Sequence, residues 1–291
     1  MKNSIDKHIH SKQKNAKKGA KEHDIFDVLD TLDKQKVTEY VIKQVTKHKV
    51  SMLTFGKQGE IYKVPLPYEW WEKYFLVAKK KKDIQDQHYD LRDEFRLQHM
   101  VYDQVKHPFV KVPELFGYQE LPTGEQFMVM EYIPGQTIYA LLVNKLVKKN
   151  KPERAPAKDD READTNVVKL WGPQRAGDTL SMIERSPYLH SKIPGMKLFT
   201  RDEANKIKNH LKEFLDDMHK QWIYHRDLWQ NIRNIMLCPD GKIYLIDFWK
   251  SIKKEHAKNK KEIYEEISES EIKQYADDEE IFDIIDAYTE K

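Results

Sequence analysis

An α+β fold follows from three patterns in the sequence, with strands concentrated in the first half of the chain and helices before, between and after them. Short apolar runs of strand length lie at 50–55, 61–64, 74–78 and 127–133, bounded by glycine, proline or charge clusters. Apolar residues recur at helical spacing over 25–50, 86–105 and 200–220. A chain of 291 residues, 39% of them hydrophobic, is long enough to bury a sizeable core and makes two lobes feasible. The charged share of 34% is high beside that hydrophobic fraction, so solvated tails or insertions are expected. A net charge of +3 gives no global argument for nucleic-acid binding. Cys238 is the single cysteine, which excludes an internal disulfide framework and fits a reducing compartment; it is expected to be a buried strand residue. No apolar stretch approaches a membrane span and no signal peptide is visible, so the expected location is cytoplasmic, without membrane contact.

Taken in order, residues 1–24 are Lys-rich and lack apolar periodicity, and read as a disordered basic arm. Residues 25–49 form an N-terminal extension of one or two helices, with Phe26, Leu29, Leu32, Val37, Val41 and Val45 on the apolar face. Val50–Phe55 and Ile61–Val64 flank Gly56-Lys57-Gln58-Gly59 and read as a hairpin. Gly56 and Gly59 let its backbone approach a phosphate closely, with N–H groups turned inward. A charged helix is expected from about Asp86 to Val105, burying Leu91, Phe95, Met100, Val101 and Val105. Phe127–Ile133 is an apolar strand ended by Pro134-Gly135, and the mixed-charge stretch near 145–169 reads as a flexible insertion. Thr200-Arg201-Asp202-Glu203 fits a capping box opening a helix to about Lys220. Ile281, Ile284, Ile285 and Tyr288 form a last apolar stripe, expected to pack on the larger helical part rather than to bind a partner.

The chemistry is concentrated in His225–Met236, followed by Leu245-Ile246-Asp247-Phe248. This stretch offers two carboxylates and at least one amide, separated by an apolar run that reads as a hairpin. Phosphoryl transfer needs such a set: one Asp to orient and deprotonate an attacking hydroxyl, and an Asn with a second Asp to hold the metal on ATP. Asn231 stands four positions after Asp227 and Asn234 seven, whereas the pattern H-R-D-x-x-x-x-N calls for five. A two-residue insertion in the loop would put Asn234 at the pattern's Asn, with Asn231 the alternative. Either amide also suits a turn cap.

These ordered motifs resemble the protein-kinase-like superfamily over roughly residues 50–250. The resemblance implies a two-lobed fold: an antiparallel-sheet lobe over 50–133 and a mainly helical lobe over 134–291 with a short helical tail. ATP would lie between the lobes with one or two Mg²⁺ or Mn²⁺ ions. Asp227 would be the base, and Asn234 and Asp247 the metal ligands. In Val77-Ala78-Lys79-Lys80, Ala78 and Lys80 share a strand face. Lys80 is therefore assigned to the phosphates, with Lys79 the alternative one register away. Glu94 would pair with that lysine, with Asp90 and Asp93 as competitors. Met130 would back the adenine pocket, with backbone bonds near Glu131 and Ile133, and His225 would support the loop backbone.

Trp249 replaces the glycine that usually follows Asp-Phe, which argues against a large backbone flip. That departure, the shortened glycine loop and the Pro-Gly ending are similar to RIO-like and aminoglycoside-phosphotransferase-like kinases. The chain continues for 42 residues beyond Trp249 without an Ala-Pro-Glu motif, against an ordinary peptide-groove kinase. The implied activity is ATP-dependent phosphotransfer to a hydroxyl-bearing acceptor, foremost by an atypical serine/threonine protein kinase. A small-molecule or sugar kinase, a RIO-like ATPase switch touching a ribonucleoprotein or nucleic acid through the basic arm, and a nucleotide-binding pseudokinase are the alternatives.

Overall fold

The computed structural model describes residues 33–50, 52–55, 59–66, 75–82, 90–150, 155–158, 162–163, 165–166, 197–228, 232–254 and 281–290. The expectations for the basic arm, Phe26, Leu29, Leu32, Gly56, Asn231 and part of the 145–169 stretch lie outside these residues. The chain runs through α1 (Lys34–Thr46), β1 (Met52–Phe55), β2 (Gly59–Pro65), β3 (Phe75–Lys81), α2 (Leu91–Gln104), β4 (Val110–Lys111), β5 (Leu115–Glu120) and β6 (Gln126–Glu131). It continues with β7 (Gln136–Thr137), α3 (Ile138–Asn150), α4 (Arg201–Lys220), β8 (Ile223–Tyr224), β9 (Ile235–Leu237), β10 (Ile243–Leu245), β11 (Ile252–Lys253) and α5 (Ile281–Ala287). The fold is α+β, an antiparallel sheet with helices.

That sheet has five strands in the order β1-β2-β3-β6-β5, each neighbouring pair antiparallel. Period-two alternation divides its side chains between two cores. Leu76 and Ala78 join Phe116, Phe127 and Val129 on one face, under Val41, Ile42 and Val45 of α1. Val77 joins Leu91, Leu115, Met128 and Met130 on the other, toward α2. Close approach of α1 depends on Gly117, where a Cβ would run into Thr38 Oγ1.

Helix α2 links this sheet to a third, larger core. Leu91 lies in the sheet-side cluster, whereas Val101 and Val105 pack with α3, α4 and α5. Phe95 and Met100, expected to be buried on this helix, are only partly so. Helix α4 starts at the expected capping box, Thr200 and Glu203 exchanging side-chain-to-backbone bonds, and buries Leu211, Phe214, Leu215 and Met218. Ile281, Ile284, Ile285 and Tyr288 are buried in the same core, and the Leu198 N–H donates to the Tyr288 carbonyl at 2.7 Å. The stripe is thus used internally.

A four-stranded sheet, β4-β10-β9-β7, holds the expected hairpin between the two carboxylate motifs: β9 and β10 pair antiparallel, and β10 pairs parallel with β4. Its turn places Gly241 at φ 82°, a left-handed conformation that suits glycine. Cys238 differs from expectation: it lies just past β9, half-buried, because its N–H closes the turn to the Lys242 carbonyl. The stretch read as a flexible insertion is helical to Asn150. Farther on, Ala157 is buried, its backbone N–H and carbonyl both bonded by the Asn144 side chain at 2.6 and 2.8 Å. Among the described residues no helix is long and apolar enough to cross a membrane.

Candidate active site

Lys79, not Lys80, meets Glu94. The Lys79 Nζ donates to Glu94 Oε1 at 2.7 Å and Oε2 at 2.8 Å, and also to Asp247 Oδ1. The correction follows from which face of the sheet α2 covers. Lys79 shares Val77's face, toward α2, while Lys80 shares Ala78's face and turns outward to Glu125 at 2.7 Å. Gly59 lies over the buried lysine, where a Cβ would stand 3.1 Å from Lys79 Cε.

The helix presents Glu94 by its own chemistry. Asp90 is the N-cap of α2, accepting the Arg92 N–H at 2.8 Å, and Asp93 pairs with Arg96 at the surface, so neither competes for Lys79. Glu94 sits in the first turn, where the helix N-terminus favours a carboxylate. Gln98 Nε2 donates to the Pro113 carbonyl at 3.0 Å and the Leu91 N–H to Gln126 Oε1 at 3.1 Å, which ties the helix to the sheet. With 7% and 1% of their side chains exposed, Lys79 and Glu94 form a buried pair. Removing one partner of such a pair costs about 3–5 kcal/mol because the other charge is left uncompensated.

A second cluster surrounds Asp227, which is buried. Its Oδ1 accepts from Lys250 Nζ at 2.6 Å, and its Oδ2 accepts from Asn234 Nδ2 at 3.1 Å and Trp249 Nε1 at 3.2 Å. Asn234 Nδ2 also bonds the Asp227 carbonyl at 3.0 Å, and the Ile246 N–H donates to the Asn234 carbonyl at 2.9 Å. His225 donates from Nε2 to the Ile246 carbonyl at 3.1 Å, and its ring lies 4.6 Å from that of buried Phe248. The loop and the Asp-Phe segment therefore hold each other through backbone and ring contacts.

Asp247-Phe248-Trp249-Lys250 joins the two clusters. Asp247 adopts a left-handed backbone, φ 66° and ψ 70°, ahead of a 3₁₀ turn over Phe248–Lys250. Its carboxylate faces Lys79, the Phe248 ring packs on His225, and the Trp249 and Lys250 side chains turn to Asp227. Five charged groups meet here: two lysines and three carboxylates. Asn234 and Asp247 offer hard oxygen donors of the kind Mg²⁺ and Mn²⁺ prefer, so the donor set fits such an ion. Trp249 and Lys250 were not expected as partners of Asp227. Lys250 lies three residues past Asp247, and the 3₁₀ turn over Phe248–Lys250 brings it back to Asp227.

Met130 and Ile133 are buried, and Glu131 ends β6 with its N–H donated to the Glu114 carbonyl at 2.8 Å. Its carboxylate accepts the Glu114 N–H at 3.2 Å, and burial pushes its pKa up to about 7. Elsewhere, His107, His210 and Glu213 bring potential ligand atoms within 4.8 Å of one another. His107 Nδ1 accepts the Phe109 and Val110 N–H groups at 3.2 and 3.0 Å, so Nε2 carries the proton and donates it to Glu213 at 3.0 Å. That tautomer makes the trio a brace between the loop before β4 and α4, with no lone pair on Nε2 for a metal. No family model matches the chain, and no similar sequence is found among curated proteins.

Proposed function

We propose that this chain is an ATP-dependent phosphotransferase with a two-lobed, protein-kinase-like architecture, acting as an atypical serine/threonine protein kinase. The observation that carries the reading is the convergence of Lys79, Glu94 and Asp247 with Asp227 and Asn234, although Lys79 and Asp247 are 168 positions apart. Lys79, braced by Glu94, would bind the nucleotide phosphates under the backbone near Gly59, and the segment around Glu131 and Ile133 would face adenine. Asn234 and Asp247 would hold a divalent metal, which neutralises phosphate charge when bound. Asp227 would orient the acceptor hydroxyl and take its proton. The cytoplasm is the compartment that supplies ATP and keeps Cys238 reduced.

The test is the fate of γ-labelled phosphate from ATP with Mg²⁺ or Mn²⁺, comparing the protein with Asp227→Asn. Asp227-dependent label on protein supports the kinase, and label in free phosphate supports an ATPase switch. A second reading, a nucleotide-binding pseudokinase, is favoured by one observation: both oxygens of Asp227 are engaged by Lys250, Asn234 and Trp249. Nucleotide binding without Asp227-dependent turnover, across protein and small hydroxyl acceptors, supports that reading.

A further inference from the structure

We infer that Lys250 is a second phosphoryl-binding cation, acting at the acceptor end of the site on the group in transit. The inference rests on the phosphotransfer reading and adds a residue to it. Lys79 is committed to the other end, bonded to both Glu94 oxygens and to Asp247. Lys250 Nζ instead lies 2.6 Å from Asp227 Oδ1, on the carboxylate assigned to the acceptor hydroxyl, and 18% of its side chain is exposed. An acceptor oxygen bonded to Asp227 Oδ1 at an ordinary distance of about 2.7 Å stands within roughly 5 Å of the same ammonium. The phosphorus joins that oxygen, so its equatorial oxygens come within reach of Nζ by a rotation of the lysine stem. The indole of Trp249, 5.0 Å from Nζ, and its bond to Asp227 Oδ2 limit where the lysine can go.

In the step, the acceptor oxygen gives its proton to Asp227 and forms a bond to the γ-phosphorus. The bond from that phosphorus to the β,γ-bridging oxygen breaks, and its electron pair leaves with ADP. Lys250, once rotated toward the transferring group, stabilises the charge spread over the equatorial oxygens. Such a group binds the transition state better than the nucleotide.

The experiment measures, by calorimetry, binding of Mg²⁺–ADP with and without tetrafluoroaluminate, which mimics the transferring phosphoryl group. The protein, Lys250→Gln and Lys250→Arg are compared, each checked for an unchanged unfolding temperature. Aluminium fluoride should tighten ADP binding to the protein by at least about 30-fold. Lys250→Gln should lose that gain to within about 3-fold, while ADP alone binds within about 3-fold of the unaltered protein; Lys250→Arg should keep part of it. An equal gain in Lys250→Gln, or no gain in the unaltered protein while ADP binds, overturns the role of Lys250 alone. A larger gain in Lys250→Gln also overturns it, and marks Lys250 as a latch on Asp227. Failure of the unaltered protein to bind ADP overturns the phosphotransfer reading as well. If Lys250→Gln unfolds, Lys250→Arg decides: complete loss of the gain with folding intact overturns the cationic role.

Discussion

Replacing Lys79 by Met leaves Glu94 and Asp247 without their shared cation, whereas replacing Lys80 by Met removes a partly exposed pair with Glu125 and a contact over the Phe127 ring. Lys79→Met should weaken Mg²⁺–ATP binding at least about tenfold, and Lys80→Met less than about threefold, by titration of each variant. The sequence could not choose between them because lysines at 79, 80 and 81 occupy both faces of β3. The choice was made by α2, whose docking decides which face is the inside. Glu131 supplies a second measurement. Burial, opposed by the bond from the Glu114 N–H, aided by the Glu114 charge and opposed by Lys111 and Lys242, raises its pKa to about 7. The native state therefore holds this proton where the unfolded chain releases it, so the stabilisation is complete below about pH 4.5 and lost as pH rises through about 7. In chemical denaturation at pH 5 and pH 8, Glu131→Gln should lose less stability than the unaltered protein on going to the higher pH, by about 1–3 kcal/mol.

Helix α4 begins where its capping box predicts, because Thr200 and Glu203 satisfy local backbone groups without help from distant chain. Thr200→Ala should cost about 1 kcal/mol in denaturant unfolding, with nucleotide binding unchanged. The packing of α1 on β5 could not be read in advance, since Gly117 gives no pattern of its own; only the fold reveals Thr38 against it. Gly117→Ala should destabilise by about 1–3 kcal/mol, and Thr38→Ala in the same chain should recover part of that loss. Undiminished stability of the single variant would remove the steric account. Hairpins and amphipathic helices were legible because their signals are periodic and local. The dual engagement of Asp227 by Trp249 and Lys250 was not, because it arises from one 3₁₀ turn closing on a loop more than twenty residues earlier.

The sheet and the helical core meet through α2 and through the segment that carries Asp247 to Lys250. A nucleotide bound by groups from both sides stabilises only the assembled protein. At a hundred times its dissociation constant, Mg²⁺–ATP should add about 2.7 kcal/mol and raise Tm by roughly 5–10 °C, an effect cut to about 1.4 kcal/mol or less in Lys79→Met at the same concentration. No shift at any attainable concentration would remove ATP as the ligand. The left-handed backbone at Asp247 also bears on how this protein can diverge. Asparagine tolerates that conformation nearly as well as aspartate, while alanine and branched residues do not. A single-base change in the codon therefore leads from Asp to Asn, removing the charge at that position while sparing the backbone. A lineage can discharge this position by that route and keep the local shape.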